Sequence, residues 1–103
     1  MTIRLKRGVF LTGRSTVLFD MILAARTAYA KMGKDVVITS GAEGTHRPDS
    51  LHYKGRAIDL RTRHLTDAER VEIMDDMKAA LGSDFQTLFE GDHFHLEYDP
   101  PGG

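Results

Sequence analysis

The sequence predicts an α+β domain: a small, largely antiparallel sheet beside two main helices. Three observations predict it. Two long segments carry apolar residues at helical spacing, four short segments read as strands, and the last two strands are joined by a link of hairpin type. With 103 residues there is room for one hydrophobic core and hence one domain, residues 1–103.

The elements follow in order. Ser15 is placed to N-cap a helix over about residues 16–32, with an apolar stripe of Leu18, Met21, Ile22, Ala25, Tyr29 and Met32, and Gly33 stops it. Asp35 to Ser40 is short, β-branched and bounded by turn residues, which is the pattern of a buried strand. From Gly41 to Lys54, Gly41, Gly44, Pro48, Asp49 and Ser50 break any period, so a loop is expected. Arg56 to Arg61 is a second strand candidate. Thr66 and Glu69 have capping-box spacing and open a helix to about Leu81, with a stripe of Ala68, Val71, Met74, Met77 and Leu81. Phe85 to Phe89 and His93 to Tyr98 are strands flanking Glu90-Gly91-Asp92, and residues 99–103 form a frayed tail.

Composition removes several function classes. Formal net charge is -1, from 14 Lys+Arg against 15 Asp+Glu, so no global field draws the chain to nucleic acid or to an anionic membrane. Basic residues gather locally at Arg4, Lys6 and Arg7, read as solvated surface, and at Lys54, Arg56, Arg61 and Arg63. The absence of cysteine excludes disulfides, thiolate metal sites and thiol nucleophiles. No stretch is long and apolar enough to insert in a membrane, and the opening residues are too short for a signal peptide, so synthesis in the cytoplasm without one is expected. A monomer is expected.

Two blocks concentrate the chemistry. The first is Ser50-Leu51-His52-Tyr53-Lys54-Gly55-Arg56-Ala57-Ile58-Asp59; the second is Glu90-Gly91-Asp92-His93-Phe94-His95-Leu96-Glu97. Imidazole and carboxylate are the zinc ligands open to a cysteine-free protein, and three of them leave a fourth position for water. Strand alternation puts His93, His95 and Glu97 on one face and Phe94, Leu96 and Tyr98 on the other. A solvated strand usually carries Thr, Lys or Arg where this one carries ligands and acids. His46 and His64 read as surface histidines, and Glu97 as a rim charge or a hydrogen-bond partner to a ligand imidazole.

The pattern Ser-x-His-x-x-Gly-x-Ala-x-Asp followed by Asp-x-x-His resembles the M15 family of zinc peptidases: D-alanyl-D-alanine carboxypeptidases, dipeptidases and phage L-alanyl-D-glutamate endopeptidases, which share a fold with the zinc-bearing hedgehog domain. Ile38-Thr39-Ser40-Gly41 and Arg47-Pro48 also resemble that family, and the resemblance spans about residues 34–98. It implies a hedgehog/DD-peptidase-like fold and one Zn2+ per chain held by His52, Asp59 and His95. It implies Asp92 as general base and acid; Glu90, a carboxylate in the same link, is the rival for that role. It further implies Arg47 as stabiliser of charge on the attacked carbonyl and Ser50 as a substrate-positioning residue. His93, on the strand face of His95, is a further catalytic candidate. Gly91 and His93 flank Asp92 where family members often carry a larger aromatic or apolar residue.

In such a site zinc polarises a peptide carbonyl and lowers the pKa of bound water from 15.7 to about 7. A carboxylate moves the proton to the leaving amine, and a cation, Arg47 or protonated His93, meets the oxyanion. The expected activity is therefore hydrolysis of the peptidoglycan stem peptide. A phage- or prophage-type endolysin comes first and a D,D-carboxypeptidase or dipeptidase second, with delivery or release to the bacterial cell wall. The alternative is a zinc-holding binding or structural module without catalysis, for instance in a phage particle.

Overall fold

The computed structural model of the chain describes residues 2–11, 16–41 and 56–100. Along them run β1 (Ile3–Leu5), α1 (Thr16–Lys31), β2 (Val36–Ser40), β3 (Ala57–Arg61), α2 (Asp67–Leu81), β4 (Phe85–Phe89) and β5 (His93–Tyr98). The strands form one sheet in the order β1-β2-β3-β5-β4. β1 runs parallel to β2, and the other three pairings are antiparallel. The α+β class and the largely antiparallel sheet hold. The parallel edge strand β1 is an addition to the expected elements, which treated its residues only as a basic cluster.

Alternation along the strands divides the sheet into two faces. Val36 and Ile38 of β2, Ile58 and Leu60 of β3, and Phe94 and Leu96 of β5 are buried in one cluster with Met21, Ala25, Ala28 and Tyr29 of α1 and Ile73 and Met77 of α2. Both helices therefore cover one face, and the polar positions of β3 and β5 fall on the other. The expected α1 stripe is present, with Ala28 added and Leu18, Ile22 and Met32 at its margin. Ser15 lies outside the described residues.

The capping box of α2 is formed: Thr66 N–H donates to Glu69 Oε1 at 2.8 Å and Glu69 N–H to Thr66 Oγ1 at 3.1 Å. Its expected stripe needs correction. Ile73 and Met77 are fully buried, whereas Val71 is 52% exposed and Ala68 is exposed. Met74, Met77 and Leu81 fit either of two stripes, and the partner decides. The Arg70 guanidinium lies 4.2 Å over the Phe89 ring, which turns the line of residues 70, 73 and 77 toward the sheet.

Two further corrections are local. His64 is half-buried rather than a surface residue, with Nε2 2.8 Å from the Asp35 carbonyl and its ring stacked on Tyr29 at 5.9 Å. The start of the tail is tied down by Asp99 N–H donating to the Asp84 carbonyl at 2.9 Å.

The two bends that shape the open face are explained by backbone. Between Ile38 and Ser40 the β2–β3 register shifts, so Ile38 opposes Leu60 but Ser40 opposes Asp59. The bulge turns Ser40 onto the face of Asp59. The next residue, Gly41, is buried, and a Cβ there would stand 2.5 Å from the Phe10 carbonyl oxygen, so only glycine admits this crossing.

Candidate functional site

β3 and β5 are neighbours in the middle of the sheet, and their register sets the site. Ala57 opposes Glu97, Asp59 opposes His95, and Arg61 opposes His93. Directly opposed side chains in an antiparallel pair are in contact range, so the second candidate metal ligand of the sequence faces the third with no loop needed. His95 Nδ1 lies 2.8 Å from Asp59 Oδ1, and His95 Nε2 lies 2.9 Å from Glu97 Oε1. All three side chains are largely buried, between 15% and 18% exposed. The Asp59 hydrogen bond raises the His95 pKa above the ordinary imidazole value against the opposing effect of burial, and the nearby carboxylate charge adds to it.

A second imidazole–carboxylate group stands at the hairpin. Gly91, with φ +82, supplies the left-handed residue of the turn. The Glu90 N–H then donates to the His93 carbonyl at 2.9 Å. His93 Nδ1 lies 2.7 Å from Asp92 Oδ1, its Nε2 lies 3.2 Å from Glu90 Oε1, and the same nitrogen lies 3.9 Å from Asp59 Oδ2. Burial pulls the His93 pKa down, but the hydrogen bond to Asp92, the charge of Asp59 and the hydrogen bond to Glu90 outweigh it, and it rises. The same hydrogen bond to His93 holds the Asp92 carboxyl below its ordinary value. Thr62 Oγ1 donates to the Asp92 carbonyl at 2.9 Å, which fastens the turn to the end of β3.

The two groups meet at a cleft of about 360 Å3 lined by Lys6, Thr39, Ser40, Asp59, Arg61, Arg63, Asp92 and His93. Asp59, Asp92 and His93 thus line one cleft. No protein-family model matches the chain, and no curated protein matches it. Of the remaining expected residues, His52, Arg47 and Ser50 lie outside the described residues, as do His46, Lys54 and Gly55.

Among the described residues, no three His, Asp or Glu side chains form a group that could hold a metal ion. The donors that are described fit zinc in their chemistry. An imidazole and a carboxylate are held together on adjacent rigid strands, and Glu97 occupies the second nitrogen of the imidazole as an orienting partner. The Asp59–His95 contact joins the two candidate ligands, so it is the contact that a shared ion would replace.

The site also contains residues to which motif reading gave no role. Lys6 belongs to the basic cluster read as solvated surface, and Thr39 and Ser40 reach the cleft through the β2 bulge. Arg61 carried one available signal: it sits two residues after Asp59 in a strand and so shares its face.

Proposed function

We propose that the chain is a zinc-dependent peptidase that hydrolyses the stem peptide of bacterial peptidoglycan, of the phage or prophage endolysin type or of the D,D-carboxypeptidase and dipeptidase type. The observation that carries this reading is the registered Asp59–His95 pair, with the Asp92–His93 pair sharing a cleft with Asp59.

Asp59 and His95, completed by His52, are the residues that would hold the metal. When bound, zinc supplies Lewis-acid polarisation of a peptide carbonyl and acidification of water. Glu97 fixes the ring of His95 through Nε2. Asp92 is the carboxylate assigned to take a proton from water and return it to the leaving amine, and its Oδ1 can exchange that proton with His93 Nδ1 over 2.7 Å. Arg47 and Ser50 keep the roles that the family resemblance implies, charge stabilisation and substrate positioning. A hedgehog/DD-peptidase-like arrangement is part of the same proposal.

The test is turnover of purified peptidoglycan by zinc-loaded protein, after chelation, and after zinc is returned. Cleavage that is lost with chelator and restored by zinc is expected; zinc-loaded protein that cleaves nothing refutes the peptidase.

One observation favours a second reading, a non-catalytic binding or structural module. Both nitrogens of His95 are already engaged by carboxylates, so Asp59, His95 and Glu97 can tie β3 to β5 with no substrate involved. Zinc held stoichiometrically without turnover is the outcome that selects it.

A further inference from the structure

We propose that the cleft beside Asp59 is an anion pocket in which Arg61, Arg63 and Lys6 take a free carboxylate of the peptide being cleaved. This names the substrate class of the proposed peptidase site and rests on that reading.

Three cations line one cleft, from two places in the chain. Arg61 ends β3 and Arg63 follows two residues later, while Lys6 follows β1. Lys6 is held there by its backbone, since its N–H donates to the Ile38 carbonyl at 2.9 Å. Among the described residues, none of the three side chains makes an ion pair or a hydrogen bond. Comparable cations nearby are engaged. Arg4, from the same N-terminal cluster, pairs with Asp35 at 3.1 Å, and the guanidinium of Arg56 lies 4.9 Å over the Tyr98 ring.

Among the described residues, the carboxylates that share the cleft are hydrogen-bonded to imidazoles, Asp92 to His93 and Asp59 to His95. Lys6 and Arg63 are exposed and Arg61 is half-buried, so all three can be reached from solvent, and a guanidinium fork matches a carboxylate in two-point geometry. Among the described lining residues two guanidinium groups and one ammonium stand in the cleft, donors that suit the two oxygens of a carboxylate. The volume of about 360 Å3 admits a side chain or a chain terminus rather than a folded partner. Because Asp59 and Asp92 line the same cleft, the group it holds belongs to the peptide at the reacting centre.

The probe is the stem peptide released from purified peptidoglycan, beside the same peptide with its carboxyl groups converted to amides. Nuclear magnetic resonance spectra of the peptide report affinity and cleavage in one sample. Amidation is expected to weaken binding to wild type at least about 10-fold, the scale of one hydrogen bond to a charged group. The double variant Arg61→Gln, Arg63→Gln should lose the same factor on the intact peptide and nothing on the amidated one. Lys6→Gln, on a different segment, should show a smaller loss with the same dependence on the carboxylate, and it keeps the test decisive if the arginine variant does not fold. Equal affinity of wild type for the two peptides, or no binding of either, overturns the pocket. So does an equal loss on both peptides in the variants. Inorganic phosphate displacing the peptide at a 10-fold lower concentration than acetate would assign the pocket to phosphate instead. Cleavage indifferent to amidation refutes the pocket and leaves the peptidase; carboxylate-dependent binding without cleavage refutes the peptidase and leaves the pocket.

Discussion

Asp59→Asn separates the two jobs that the Asp59–His95 contact can do. The substitution keeps the size of a side chain only 16% exposed and keeps an oxygen to accept from His95 Nδ1, while removing the negative charge. A hydrogen bond to a charged group contributes about 1.5–3 kcal/mol and a neutral one about 0.5–1.5. The metal-free variant should therefore lose about 1 kcal/mol, or about 4–8 °C in Tm on the scale for a small domain. Zinc adds a second term. At 100 times its Kd it stabilises the wild type by about 2.7 kcal/mol, a rise of about 10–20 °C, because the ligands cross-link segments far apart in sequence. The variant, without its anionic ligand, should gain a few degrees at most. Differential scanning calorimetry of both proteins, in chelator and in zinc with metal content verified, reads all four values. The same zinc-induced rise in both proteins would sink Asp59 as a ligand, and no rise in either would sink the metal site.

Three further predictions concern the base, the second helix and pH. Asp92→Asn should lower peptidoglycan cleavage at least about 100-fold with zinc content and fold unchanged, while Glu90→Gln is much milder; exchanged results would move the base role to Glu90. Ile73→Ala should cost about 2–5 kcal/mol in urea unfolding and Val71→Ala less than about 0.5, and comparable losses would contradict the buried face assigned to α2. The Glu69 carboxyl is held below its ordinary 4.5, first by the Thr66 backbone N–H. A depressed folded value stabilises above the unfolded pKa, so its contribution is complete above about pH 4.5 and is lost as pH falls through the lower folded value. Glu69→Gln should flatten that part of the stability–pH curve, and an unchanged curve would remove Glu69 as its source.

What the sequence discloses depends on whether the signal is local. The hairpin strands Phe85–Phe89 and His93–Tyr98 and the capping box at Thr66 are legible because alternation, turn residues and cap spacing lie within a few residues of one another. β1 is not legible. Ile3-Arg4-Leu5 is three residues long with no buried residue, and only pairing with distant Val36, Val37 and Ile38 makes it a strand. The face of α2 is ambiguous for the reason given above, since two stripes share Met74, Met77 and Leu81 and only Phe89 and the sheet choose between them. At the site, the shared face of His93 and His95 follows from alternation, and so does that of Asp59 and Arg61. That Asp59 meets His95 depends on β3 and β5 pairing in one register, and that Lys6 joins them depends on a strand that sequence periodicity does not reveal.

The placement of charge on the sheet argues for function independently of any motif. On the helix-covered face every rule of a stable sheet is kept: Ile58, Leu60, Phe94 and Leu96 alternate inward and are fully buried. On the opposite face the same two strands carry Asp59, Arg61, His93, His95 and Glu97. Partly removing imidazoles and carboxylates from water costs free energy that their mutual hydrogen bonds only offset, and apolar or Thr side chains of similar volume would serve stability as well or better. Local rules that agree everywhere along β3 and β5 except on one face mark that face as the place where something other than folding sets the residue choice. The exception is also where, among the described residues, two imidazole–carboxylate pairs, three cations without an ion pair and a bulged strand converge on a single cleft. A structural ion network accounts for the first of these; the cations in the cleft are what the proposed carboxylate pocket adds to it.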